Sequence, residues 1–443
     1  MVRLLNLQIQ FTPMQRIQKL FKVDNVSKIK DKLLIWGAQY NTVAWLDSNS
    51  NNKTNIEGFL AVDQISFITT DYQNAFEQLK LYIDKIQDYA FGYLGYDLKN
   101  DVEKLSSDNI DETGFPDLYF FQPKKLIEVQ KDGVLFRYPE DLVDDIEKDW
   151  NAILTSKKEE VTKTPLDIQH RIDKKTYIKQ VEKALNEIHK GEVYELNFCQ
   201  EFYAKNANIH PVNTYLDLNT ISQAPFATFL KLNDLFLLSA SPERFLQKKQ
   251  DTLVSEPIKG TARRRTLPEK DASQIELLQN NTKEIAENIM IVDLVRNDLS
   301  HIAQKGTVKV SELCKIYTFK QVHQMISTIT CKIKPNIHIV DAIKACYPMG
   351  SMTGAPKIAA MKFIEDLEAS KRGIYSGAVG YFTPDQNFDF NVVIRSIVYN
   401  QTKKYVSFSV GSAITAKANP EQEYDECLLK AKAMREVLST PQQ

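Results

Sequence analysis

Two apolar runs, residues 226–231 and 235–240, joined through Asn233-Asp234, read as a β-hairpin. Asn and Asp accept the tight reversal that such a hairpin needs. A third strand-like segment, Leu253-Val254, leads on into Lys259. The core around this stretch is therefore β-rich, and the helices of the chain belong outside it. Asp173 to Lys190 carries Tyr177, Ile178, Val181, Ala184, Leu185 and Ile188 on one helical stripe, with Gly191 as its stop. Val193 to Phe202 alternates like a strand.

Residues 1–155 read as mixed strands and helices. Ala44 to Leu46 and Gly58 to Val62 form strands, separated by a polar loop over Ser48 to Asn52. Phe76 to Ile86 forms a helix with Phe76, Leu79, Ile83 and Ile86 on one face. Gly92 to Asp97 reads as strand or tight turn, its tyrosines packing in the core. Thr155 to Pro165 is polar and without apolar period, which places a junction there. The expected organisation is an N-terminal α/β part over 1–155 and a larger unit over 166–443.

At 443 residues and a net charge of -1, the chain has enough apolar surface for a large core and no bulk charge for nucleic acid or an anionic membrane. No run of 18 apolar residues suggests a membrane span, and Met1 to Pro13 lacks a signal-peptide layout. The 5 cysteines (Cys199, Cys314, Cys331, Cys346, Cys427) are scattered without a CxxC pair, which argues for a reducing cytoplasm and against zinc or disulfides. Asn-x-Ser/Thr triplets such as that at Asn280 then carry no meaning.

Several segments carry chemistry. Ser255 to Arg265 runs into a Lys259-Gly260-Thr261 turn followed by Arg263, Arg264 and Arg265. Glycine lets backbone approach a ligand, and nearby cations would lower the lysine pKa toward a reactive amine. By itself the stretch reads first as a surface lysine in a basic turn, and only its context along the chain can overturn that. Asp271 to Leu299 reads as one long helix with Glu284 and Glu287 on one face. Pro420 to Leu438 is a second helix, packing Tyr424, Cys427, Leu428, Ala431 and Met434 and presenting Glu423, Glu426 and Lys430 beside them. Paired carboxylates on two helices suit Mg²⁺, or are simply solvated faces. Tyr347 to Lys357 is a Gly- and Ser-rich turn with Pro356 in the first turn of a helix that turns Ile358, Met361, Ile364 and Leu367 inward. Such a start binds anions, but the spacing is not that of a P-loop. Arg395, at the end of an apolar strand over Phe390 to Arg395, needs a carboxylate from the protein or a ligand. His323 is a lone histidine, structural or catalytic.

Taken together, these segments resemble the chorismate-utilising enzyme family. The matching runs are Ser241 to Phe245, Pro257 to Thr261, Glu287 to Asp298, Gly350 to Lys357, Tyr375 to Ala378, Gly411 to Ile414 and Asn419 to Glu426, in the family's order. Residues 175–438 are covered, and Gly92 to Asp97 matches more loosely. The resemblance implies an α/β fold in which two packed β-sheets form a sandwich core with helices outside. It implies that Lys259 marks the branch that aminates chorismate at C4, on the way to 4-aminobenzoate and folate, because relatives that make anthranilate carry Ala there. It assigns Mg²⁺ to Glu284, Glu287, Glu423 and Glu426. It assigns chorismate to Ser351, Tyr375, Arg395, Gly411, Lys430, Gly260 and Thr261, and places His323 near the ring. Lys259 would form a covalent adduct that ammonia displaces, with Glu243 transferring a proton.

Isochorismate- and salicylate-forming relatives use a lysine near Glu195, so the glutamate here argues against their chemistry. Ser300-His301 replaces the family's usual Gly-Arg. None of the cysteines has the Gly-flanked turn of a glutaminase, which implies ammonia from a separate glutamine amidotransferase subunit. The alternatives are an anthranilate synthase component I and a non-enzymatic subunit that senses chorismate. A phosphate or nucleotide binder fails on motif form.

Overall fold

The computed structural model describes residues 14–50, 56–162 and 164–439. Met1 to Pro13, and Asn51 and Asn52 of the expected loop, lie outside the described residues, as does Lys163 of the expected junction. The hairpin forms as Phe226–Leu232 and Leu235–Ser241, with Leu232 opposite Leu235 and Asn233 at φ 53. Thr42–Asp47 lies beside one of its strands and Ser396–Asn400 beside the other. In one direction the antiparallel pairing continues through Tyr405–Thr415 to Glu195–Ala204. In the other it passes through Gly58–Thr70, Leu118–Gln130, Ala90–Leu94, Ala378–Phe382, Phe388–Val392, Arg244–Lys249 and Thr252–Glu256 to Val322–Lys332.

This one hydrogen-bonded network works as two sheets because Gly58–Thr70 and Leu118–Gln130 belong to both. One end of that long pair is flanked by Thr42–Asp47 and Gly133–Pro139, the other by Ala90–Leu94. A register shift between Gln64 and Ser66 bends the pair between them. Phe59, Phe91, Leu230, Leu237, Val379 and Val398 fill the space where the halves face each other. One outer face is covered by Ser27–Gly37, Asp145–Thr155, Lys174–His189, Pro211–Ser222 and Pro420–Ser439, through Leu33, Ile153, Val181, Tyr215 and Met434. The other is covered by Ala75–Ile86, Thr282–Ile302 and Ile339–Cys346, through Phe76, Leu79, Ile291 and Ile343. The mixed fold, with helices outside a β core, is thus as expected.

Local expectations need correction in several places. The alternation over Val193 to Phe202 does form a strand, and both of its faces are buried. In Glu195–Ala204, Leu196, Phe198 and Phe202 enter one core, while Glu195, Asn197 and Glu201 are buried on the opposite side. The helix expected over Asp271 to Leu299 is two, Pro268–Gln279 and Thr282–Ile302. Asn281 restarts the second, its side chain accepting from the N–H groups of Lys283 and Glu284. Ile358 is 45% exposed rather than inward. Arg395 lies beyond the strand Phe388–Val392, in left-handed backbone at φ 54. Lys259-Gly260-Thr261 is not a turn but part of the strand Ile258–Arg263, which slips register against Val322–Lys332 between Ile258 and Thr261.

Candidate functional site

That slip sets Lys259. Gly260 adopts φ +90, and a Cβ there would sit 3.2 Å from Glu284 Cβ and 3.1 Å from Leu278 Cδ1. Glycine thus permits both the bulge and the approach of the glutamate-bearing helix. Lys259 is 9% exposed, and its Nζ donates to Glu195 Oε1 at 2.7 Å. Glu195 stands on the strand at the far end of the network, so this pair joins the two ends. Burial pulls the lysine pKa down, but Glu195, Glu287 and Glu243 outweigh it and hold the pKa above the ordinary value. The arginines do not act as expected. Arg263 and Arg265 are exposed beyond the bulge, and Arg264 donates to Asp271 Oδ2 at 2.8 Å and the Phe319 carbonyl at 2.9 Å.

Glu243 follows the strand Leu235–Ser241 and is 5% exposed. Burial drives its carboxyl up to about 7, against hydrogen bonds from the Ser351 side chain and the Ile258 backbone and the charge of Lys259. Both protonation states are therefore accessible near neutrality. Ser351 sits in the short turn Gly350–Met352, which is held from behind. Asn197 Nδ2 donates to the Ser351 carbonyl at 2.9 Å. Arg372 donates to the Met352 carbonyl at 2.6 Å and the Asn197 carbonyl at 2.7 Å, and pairs with buried Glu368 at 2.6 Å.

The helices Thr282–Ile302 and Pro420–Ser439 bring their carboxylates together. Glu423, 3% exposed, accepts from Ser412 and from Lys283 Nζ at 3.1 Å. Glu426 pairs with Lys430 at 2.6 Å, and Lys430 also donates to the Gly411 carbonyl at 2.9 Å. Burial raises Glu287 to about 7, with Glu195 and Glu284 adding to the rise against Lys259 and Lys283. Burial likewise leads the rise of Glu284, with Glu426 next. Glu426 goes the other way, because Lys430, Lys283 and Lys259 overcome its burial. Buried Glu287 Oε1 has no hydrogen-bond partner. Among the described residues no three acidic, His or Cys side chains form a ready cage for a metal. A hard cation such as Mg²⁺ nonetheless fits this chemistry, because it binds through one or two carboxylates and keeps several waters.

Arg395, part-buried, donates from Nη1 to the Lys430 carbonyl at 3.2 Å, and no carboxylate pairs with it among the described residues. Burial pulls its pKa down. Tyr375 lies 3.7 Å from Cys199 Sγ, and a Cβ on Gly411 would meet Asn197 Oδ1 and Cys199 Sγ at 2.5 Å. The structure thus groups Lys259, Gly260, Glu243, Ser351, Gly411, Lys430 and the four helix glutamates, with Arg395 and Tyr375 at one side. Two residues stand apart. Thr261 is exposed. His323, 0% exposed, meets Thr318 Oγ1 at 2.9 Å and Asp271 Oδ1 at 3.0 Å, using both ring nitrogens.

Sequence reasoning missed Lys283, Asn197 and Arg372, and saw Glu195 only as a departure from relatives. The alternation of Val193 to Phe202 carried the signal for Glu195 and Asn197. Nothing local distinguishes Lys283 from the other lysines of a helix start.

A row of carboxylates, a buried lysine and an arginine with no acidic partner among the described residues lie together, a donor set whose chemistry suits an anionic ligand and a hard cation. A family model described as chorismate binding enzyme matches residues 21–436. Aminodeoxychorismate synthase component 1 of Salmonella typhimurium is 35% identical over 343 residues, covering 76% of this chain and 74% of that protein. The chloroplastic aminodeoxychorismate synthase of Arabidopsis thaliana is 35% identical over 416 residues, or 87% of this chain, which spans only 44% of that protein's length. For the Oryza sativa relative the span is 43%. The crystal structure of anthranilate synthase component I from Streptococcus pneumoniae superposes with TM-score 0.76 at 26% identity, covering 85% of this chain and 91% of that one. The chain therefore belongs to the chorismate binding enzyme family.

Proposed function

We propose that this chain catalyses the Mg²⁺-dependent amination of chorismate with ammonia to 4-amino-4-deoxychorismate, in 4-aminobenzoate synthesis. The observation that carries this reading is the buried Lys259, bonded to Glu195 and close to Glu243, in a chain whose curated relatives include aminodeoxychorismate synthases. Glu287 and Glu426, supported by Glu284 and Glu423, would hold Mg²⁺. That ion would anchor the ring carboxylate and polarise the substrate when bound. Arg395, Tyr375 and the backbone at Gly411 would hold the enolpyruvyl carboxylate, and Ser351 would support the ring carboxylate.

Lys259 must lose a proton to become a nucleophile. Glu195 is the acceptor already in contact with it. The amine then bonds to ring C2, both double bonds of the ring diene shift towards C4, and the 4-hydroxyl leaves as water with a proton from Glu243. Ammonia adds at C4, both double bonds shift back, and the C2–N bond breaks as the lysine takes up the proton that the new ammonium sheds, regenerating the free amine. Ammonia would come from a partner glutamine amidotransferase, consistent with the designation component 1 among the relatives.

The test is an assay of the wild type and Lys259→Ala with chorismate, Mg²⁺ and ammonium. Aminodeoxychorismate should form and then be lost in the variant. Release of anthranilate and pyruvate by the wild type would instead support the second reading, an anthranilate synthase, which the likeness to the Streptococcus pneumoniae structure favours.

A further inference from the structure

Lys283 occupies an unexpected position. It lies in the first turn of Thr282–Ile302, where the helix dipole disfavours a cation. Its Nζ nevertheless reaches Glu423 Oε1 at 3.1 Å and comes within 3.8 Å of Glu287 Oε1. Both carboxylates are buried, at 3% and 8% side-chain exposure, and Glu287 Oε1 has no hydrogen-bond partner. An ammonium thus stands between the two helices whose glutamates converge.

We infer that Lys283 is a resident counter-cation for these carboxylates and gives way when a divalent cation binds. The inference rests on the reading that the helix glutamates hold Mg²⁺. Two buried carboxylates facing each other without a cation would repel across a poorly solvated gap. Lys283 relieves this in the metal-free protein. Its own side chain is 44% exposed, so it can swing into water without disturbing either core. Glu423 does not depend on it alone, because Ser412 also donates to that carboxylate. Arg or Glu at this position would fail for opposite reasons: the first binds carboxylates in a bidentate fork, and the second adds repulsion.

Lysine acetylation by a water-soluble active ester, followed by peptide mass spectrometry on the whole protein, tests the displacement without any turnover. Lys283 should react slowly in EDTA and several-fold faster in saturating Mg²⁺, while exposed Lys362 stays constant. Calorimetric titration with Mg²⁺ alone gives the second measurement. Lys283→Gln should bind about tenfold more tightly than wild type, since a competing charge is gone. Mg²⁺ binding with unchanged or slower labelling of Lys283 would overturn the inference while leaving the metal reading intact. No Mg²⁺ binding to either protein would overturn both.

Discussion

Glu243→Gln should stabilise the unliganded protein at pH 8 and change it little at pH 5. The carboxyl is raised from 4.5 to about 7 by burial, so the folded state holds this proton more tightly than the unfolded chain. Stability from this group is complete below the unfolded pKa and is lost as pH rises through about 7. The full loss is about 3 kcal/mol, at 1.36 kcal/mol for each pKa unit. Most of it accrues between pH 5 and pH 8. Glutamine removes the ionisation, keeps an acceptor for the Ile258 N–H and can still meet Ser351. The gain from substitution should therefore be roughly 2 kcal/mol larger at pH 8 than at pH 5. Lys259 does not confound the comparison, because its pKa is held above the ordinary lysine value, far from the pH window used. Denaturant unfolding of both proteins at the two pH values, without Mg²⁺ or chorismate, measures the difference. Equal shifts at both pH values, or a larger loss at pH 8, would refute the argument that burial dominates this carboxyl.

Gly260→Ala must hold a side chain at φ +90 against Glu284 and Leu278, so a loss of about 1–2 kcal/mol is expected, read as a lower Tm. Its Mg²⁺ affinity in calorimetry should fall as well; unchanged values of both would show that the bulge is not required. Arg372→Met leaves Glu368 buried without its partner and should cost about 3–5 kcal/mol in urea unfolding, partly restored by adding Glu368→Gln. A loss below about 1 kcal/mol would mean that the Ser351 turn is held by other contacts. Arg395→Ala should lower kcat/KM for chorismate by roughly 10- to 100-fold, the range of one charged hydrogen-bonded contact, with little change in stability. An equal kcat/KM would remove Arg395 from substrate binding.

The periodic elements were legible in the sequence because their causes are local. Asp173 caps the helix Lys174–His189, its side chain accepting from the Thr176 N–H at 2.7 Å, and Gly191 at φ +86 ends it. The hairpin at Asn233 and the stripe of Tyr424, Cys427, Ala431 and Met434 are equally local. The helix glutamates were legible too, since spacing alone puts Glu284 beside Glu287. The environment of Lys259 was not. Its neighbours Arg263, Arg264 and Arg265 in the chain suggested a lowered pKa, yet a strand turns successive side chains to opposite faces and the bulge carries these arginines outward.

By itself the sequence determined most of the element types, the ordered motifs and the residue kinds available for chemistry, because these follow from composition and short spacing. Only the tertiary structure decided which charges meet. Glu195 and Lys259 are 64 residues apart and come together because the strand network brings its two ends into contact. Lys283 and Glu423 are 140 residues apart and meet through the packing of two helices. Electrostatic environment depends on distance in space and on burial. Neither is encoded in any local pattern, so the state of the central lysine could not be read along the chain.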